Sequence, residues 1–145
     1  MINNIIENED YKDLVSSQVK QTIEFLLKQN QEFAVTANLD AIKFNPELPS
    51  STFQQLSKFS LFILSNYTYS TIALDETSMT FEAGFGSENF GSVVKIPYHS
   101  IFQIVVGESI LFVNSVATVE KFNKNTKQKS FNVFKNNPNN KNLLK

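Results

Sequence analysis

Met79-Thr-Phe-Glu-Ala-Gly-Phe-Gly-Ser-Glu-Asn-Phe-Gly-Ser-Val-Val-Lys-Ile-Pro-Tyr-His-Ser-Ile-Phe-Gln-Ile-Val-Val106 is the stretch on which the fold turns. Met79, Phe81, Ala83 and Phe85 alternate with Thr80, Glu82 and Gly84, the period-2 signature of a strand with one buried face. Gly84, Gly86 and Gly91 then punctuate the chain, with Asn89 between them, as a reversal needs where backbone takes positive φ or approaches something closely. Val93, Val94 and Ile96 resume a strand that Pro97 ends, and Ile101 to Val106 makes a third apolar run. The spacing predicts a hairpin closed by a glycine-rich bend, with an edge able to receive another backbone.

Working outward, Gly107-Glu-Ser109 reads as a short turn into a strand over residues 110–116. Upstream, Asp75-Glu-Thr77 is a turn, and residues 70–74 continue or re-pair the run before it. Phe59 to Tyr69 is a long apolar and aromatic run, read as one strand. Residues 50–56 suggest a helical turn and residues 41–49, with two prolines, a loop. Phe33, Val35, Ala37 and Leu39 alternate as a first strand. From Asp10 to about Asn30 the period changes: Tyr11, Leu14, Val15, Val19, Thr22, Ile23, Leu26 and Leu27 fall on one face of a helix. That face either packs on its own domain or serves in part as a subunit interface. One helix before six or seven short strands reads as α+β, with an antiparallel sheet curled into a small roll or partial barrel.

The expected organisation is a flexible stretch over residues 1–9, one domain over 10–122 and a flexible tail over 123–145. Residues 1–120 carry all 14 acids and six of the 13 lysines, whereas residues 121–145 carry seven lysines and no acid. Such an Asn- and Lys-rich segment buries too little apolar surface to offset its ordering entropy. Phe131-Asn-Val-Phe134 and the final Leu143-Leu144-Lys145 interrupt it. The latter either forms a short docking motif or is simply a chain end. There is no arginine, which weakens a reading of base or phosphate recognition, although codon bias produces the same absence. No stretch resembles a signal peptide or reaches membrane-spanning length, so a cytoplasmic protein is expected.

Chemistry is sparse. With no cysteine, thiolate nucleophiles and zinc–cysteine sites are excluded. His99 is the only histidine, and a lone histidine beside a strand start is more often a packing residue than a base. No nucleophile-elbow pattern occurs, and Gly84-Phe-Gly86 lacks the Lys-Ser/Thr ending and following helix of a phosphate loop. These absences point away from an enzyme and from any metal or cofactor, and toward a binding module.

Phe81-Glu-Ala-Gly-Phe85-Gly86-Ser87, followed by Val-Lys-Ile-Pro97-Tyr98-His-Ser-Ile101, resembles the stringent starvation protein B family, the SspB-type adaptors that deliver ssrA-tagged proteins to the ClpXP protease. Phe33-Ala-Val-Thr-Ala is similar to that family's first strand, Phe44-Asn-Pro-Glu-Leu48 to its proline-containing loop, and Ser60 to Tyr67 to a later strand. The likeness covers about residues 10–114. It departs at Ser87, where the family has a second glycine, in three residues that lengthen the bend, at Ser65, and in a basic tail where the family's is acidic.

The resemblance implies a groove for tag peptides along Ala83, Gly84, Phe85 and Gly86, walled by Phe44, Ser65, Asn66 and Tyr67. It implies a homodimer through a helix face of Tyr11, Leu14, Val15, Val19 and Thr22, and docking on a ClpX-type unfoldase through Leu143, Leu144 and Lys145. A small Sm-like roll that binds RNA, with Phe85, Phe90, Tyr67 and Tyr69 stacking on bases, is the alternative. The acidic body argues against it.

Overall fold

The computed structural model describes residues 4–124. It opens with α1, Glu9–Lys28, where sequence periodicity placed a helix. The Asn8 side chain caps the start by accepting from the Tyr11 N–H at 3.0 Å, and Glu9, Asp10 and Lys28 complement the helix dipole. At the other end Asn30 turns left-handed at φ 54°. Its N–H reaches the Leu27 carbonyl and that of Gln31 reaches Leu26, so the last carbonyls are satisfied. Val15, Val19, Ile23 and Leu26, at four-, four- and three-residue steps, are the buried stripe.

Among the described residues eight strands follow, all neighbours antiparallel, in two four-stranded sheets. The first has the order β3 (Phe59–Leu64), β1 (Phe33–Asn38), β7 (Ile101–Val106), β8 (Ser109–Val113). The second has the order β2 (Lys43–Asn45), β6 (Phe90–Pro97), β5 (Ser78–Phe85), β4 (Ala73–Leu74). The α+β architecture is therefore the expected one, but the sheet is two rather than one, and neither closes. The sheets and α1 share a single core. Val35, Phe62, Leu64 and Ile104 come from the first sheet, and Met79, Phe81, Val94 and Ile96 from the second. The Phe62 ring bridges them, with centroids 5.7 Å from Phe81 and 6.4 Å from Phe85. Among the described residues no helix is long and apolar enough to cross a membrane.

Two further expectations are corrected. The run from Phe59 to Tyr69 is not one strand: β3 ends at Leu64, Asn66 takes φ 52°, and α3 (Asn66–Ser70) follows. Glu32 fixes that break, its carboxylate accepting from the Asn66 N–H at 2.7 Å. The loop over residues 41–49 contains β2, whose Phe44 pairs with Val94, and α2 (Ser50–Phe53) comes next. Asn123, one residue past the expected domain boundary at 122, is buried. Its amide donates to the Val116 and Val119 carbonyls, and its oxygen accepts from Ser100 Oγ. Asn38 and Asn114 complete this polar knot. Asn38 donates to the Ala117 carbonyl, and Asn114 donates to those of His99 and Ile101 while accepting from Val116 N–H. Buried asparagines are tolerated here because each is satisfied.

Candidate functional site

The β5–β6 hairpin runs in register from Ser78 opposite Pro97 to Phe85 opposite Phe90. Its tip, residues 86–89, is closed by Asn89 N–H on the Gly86 carbonyl at 3.1 Å, with positive φ at Gly86 and Asn89. Gly84 and Gly91 sit directly opposite each other, so the outer face of the hairpin lacks two side chains side by side. A Cβ on Gly84 would run into the Asn89 amide, whereas one on Gly91 would meet open space.

That gap forms one end of a cavity of about 550 Å³. Glu82, Ala83 and Gly84 of β5 line it together with Gly91, Ser92 and Val93 of β6. Asn45 and Pro46 bound it on the β2 side, Asn89 at the tip, and Tyr67 and Thr68 of α3 across the β5 edge. Among the described residues no lysine is in the lining. Glu82, the one carboxylate among the described lining residues, accepts from the Tyr67 hydroxyl at 3.2 Å, and this bond with the adjacent negative charge pushes the Tyr67 phenol up.

The β5 edge is open beside this cavity. The Ser78 carbonyl accepts from Asp75 N–H and the Glu82 N–H donates to Thr71 Oγ1 at 2.8 Å, so both residues turn their backbone groups away from β6. Polar groups along a strand alternate sides, so Gly84 turns its N–H and C=O the same way. β4 covers that edge only as far as Thr80. Beyond Glu82 no strand among the described residues pairs with it.

Of the eight residues expected to form a groove, Tyr67, Ala83 and Gly84 line this cavity. Phe44 and Phe85 stand behind it on the inner face, edge to face at 5.6 Å, with Phe53 against Phe44. Gly86 is at the hairpin tip near Thr52 of α2, Ser65 is the residue that precedes α3, and Asn66 is the first residue of α3. Asn45, Pro46, Thr68, Glu82, Asn89, Gly91, Ser92 and Val93 were not anticipated as lining. Gly91 was within reach of sequence reasoning, since a tip at residues 86–89 places it opposite Gly84.

The helix face divides. Val15 and Val19, expected at a subunit interface, are in the domain's own core; Tyr11 and Thr22 are half-buried, and Leu14 is 52% exposed. His99 lies outside the cavity lining, its Nε2–H donating to the Phe122 carbonyl at 2.7 Å. Burial pushes its pKa down. Among the described residues no group of three or more His, Cys, Asp or Glu could hold a metal ion. Phe131–Phe134 and Leu143, Leu144 and Lys145 lie outside the described residues. The chain matches no protein-family model, and no curated protein is significantly similar to it.

Proposed function

We propose that this protein is a protease adaptor that binds ssrA-type degradation tags along the β5 edge and tethers the tagged cargo to a ClpXP-type protease. The observation that carries this reading is the β5 edge at Gly84, unpaired among the described residues, beside a cavity left open where Gly84 faces Gly91. An unstructured tag laid there gains main-chain hydrogen bonds from Gly84, and the facing Gly84 and Gly91 leave room for its alternate side chains. Capture of this kind needs no catalytic group. Leu143, Leu144 and Lys145 are the proposed contact with the unfoldase, and the stretch before them raises the local concentration of cargo at the protease.

The RNA-binding alternative gains no support. Among the described residues the cavity has a carboxylate and no lysine, Phe85 is packed against Phe44 and Phe62, and Tyr69 packs edge-on against Phe33 at 6.4 Å.

The test is fluorescence anisotropy of a labelled ssrA-type peptide titrated with the full chain at low and moderate salt. Saturable binding that barely changes with salt is expected, and Ala83→Gln abolishes it while the circular dichroism spectrum is unchanged. Absence of binding, or wild-type affinity in Ala83→Gln, overturns the groove assignment. Deleting residues 143–145 is expected to remove delivery to the protease and spare peptide binding.

A further inference from the structure

Around the gap between Gly84 and Gly91 the cavity presents acceptors and, among the described residues, no cation. Glu82 stands on the same outward face of β5, two residues from Gly84. Its carboxylate accepts from the Tyr67 hydroxyl, and among the described residues no lysine forms an ion pair with it. Lys95, the next lysine along the hairpin's outer face, is opposite Thr80 and lies 3.9 Å from Asp75. On the tip side of the gap, Asn89 Oδ1 is the atom nearest the place that a Gly84 Cβ would take. Glu88, in the tip, has the same sign as Glu82. A missing side chain is thus flanked by two kinds of oxygen acceptor, one of them charged, and the space between calls for a donor.

We propose that this cavity selects tags that carry a lysine or arginine side chain, and that Glu82 is the residue that sets the preference. The proposal rests on the adaptor reading and names the class of tag within it. A strand added at the β5 edge opposite Gly84 turns its side chain at that point to the same outer face, over the gap. Glu82 is then its diagonal neighbour on the sheet, about 7–8 Å away, within reach of a long side chain and beyond a short one. The unbranched stem of lysine or arginine lies over the two glycines, beside Val93, and its charged head meets the Glu82 carboxylate. The Asn89 oxygen adds its partial negative charge from the tip side. An uncharged side chain of the same length fills the gap but leaves Glu82 without a partner, and a glutamate there opposes two like charges. Glu82 is exposed, so the pair contributes modestly and is read as a preference among tags.

Anisotropy titrations of the full chain with a set of ssrA-type peptides test it. Each peptide carries lysine, norleucine or glutamate at a single position, and that position is moved along the tag. At the position that falls opposite Gly84, lysine is expected to bind about fivefold more tightly than norleucine, and glutamate more weakly than either. In Glu82→Gln the ratio of lysine to norleucine affinity falls to about one, and in Glu82→Lys the order inverts in favour of glutamate. Because Glu82 is exposed, both variants are expected to keep the wild-type circular dichroism spectrum and melting temperature. A lysine preference that persists in Glu82→Gln overturns the inference and leaves the groove in place. So do affinities that agree within about twofold for all three side chains at every position. If no peptide of the set binds, the adaptor reading fails and this inference falls with it.

Discussion

The two sheets have equivalent inner faces and opposite outer ones. The first turns Leu61, Ile63, Ile110 and Val113 to the outside and is sealed at one end by the knot of Asn38, Asn114 and Asn123. The second turns out Lys43, Asn45, Thr80, Glu82 and Lys95, as an ordinary solvated sheet does, and opens at its hairpin end where Gly84 faces Gly91. Strand alternation accounts for both, because it dictates only that one face is buried. What covers the other face is a separate property of each sheet. A closed end with a bare apolar face suits a scaffold that meets another surface. A solvated face with an unpaired edge suits capture of an extended chain.

The contrast is sharpest at the ends of the sheets. Asn114 holds three backbone groups, with its amide on His99 and Ile101 carbonyls at 3.0 and 2.9 Å and its oxygen on Val116 N–H at 2.9 Å. Asn114→Ala leaves those groups buried without partners, and at about 1–3 kcal/mol for each unsatisfied group the variant is expected to lose about 3 kcal/mol or more. Lys43→Ala, on the outer face of the second sheet, stays within about 0.5 kcal/mol of wild type. Urea denaturation of both variants checks the pair. Comparable losses would mean that the knot is not what seals the first sheet.

Within the second sheet the facing glycines separate packing from function. In Gly84→Val the new side chain collides with the side-chain amide of Asn89 at the tip, and overpacking of this kind costs about 1–2 kcal/mol. Gly91→Val meets nothing and replaces a poor strand former, a gain of up to about 0.5–1 kcal/mol. Both fill the cavity, so affinity for a tag peptide is expected to fall about tenfold, or 1.4 kcal/mol, in each. Thermal melts and anisotropy titrations read the two effects separately. Wild-type affinity in Gly91→Val would move the peptide off this face.

Where local pattern decides structure, the sequence was readable: α1 by its stripe and caps, β5 and β6 by alternation around three glycines. It failed where a distant partner decides. Nothing within residues 59–69 announces a break, because Tyr67 and Tyr69 continue an apolar strand pattern. The left-handed turn at Asn66 is held by Glu32, 34 residues away. Asn123 begins an asparagine-rich run and reads as tail, yet its oxygen accepts from Ser100, 23 residues away. The three residues of β2 are too few to show a period. At the site, Gly84 and Ala83 were legible as small residues on an edge. The cavity's far wall comes from register and from α3, neither of which the local pattern contains. That the first sheet turns large aliphatic side chains outward was hidden for a further reason: the run from Phe59 reads as buried on both sides.

The smallest expected difference is in pH dependence, and it separates the sheets by window. His99 sits at the sealed end of the first sheet, and its pKa is held below the ordinary 6.5 chiefly by burial and secondarily by the Lys12 charge. Donation to the Phe122 carbonyl and the charges of Asp13 and Glu9 oppose that shift. A depressed folded-state pKa means that the unfolded chain takes up a proton which the folded one refuses. Its contribution is therefore complete above the ordinary value and is lost as pH falls from there toward the folded-state value. On the second sheet Asp75 is held below its ordinary 3.8 by the N–H groups of Thr77 and Ser78, so its contribution persists until pH falls below that value. Between about pH 7.5 and about pH 5.5 the wild type is expected to lose stability at no more than about 1.4 kcal/mol per pH unit from His99. His99→Gln retains an N–H donor without a titrating ring, so the difference between the two proteins across that interval isolates the histidine. Asp75→Asn leaves the neutral-range slope unchanged and alters only the acid limb. Equal slopes in wild type and His99→Gln would show that the sealed end admits the proton in the folded state, and would remove this distinction between the two sheets.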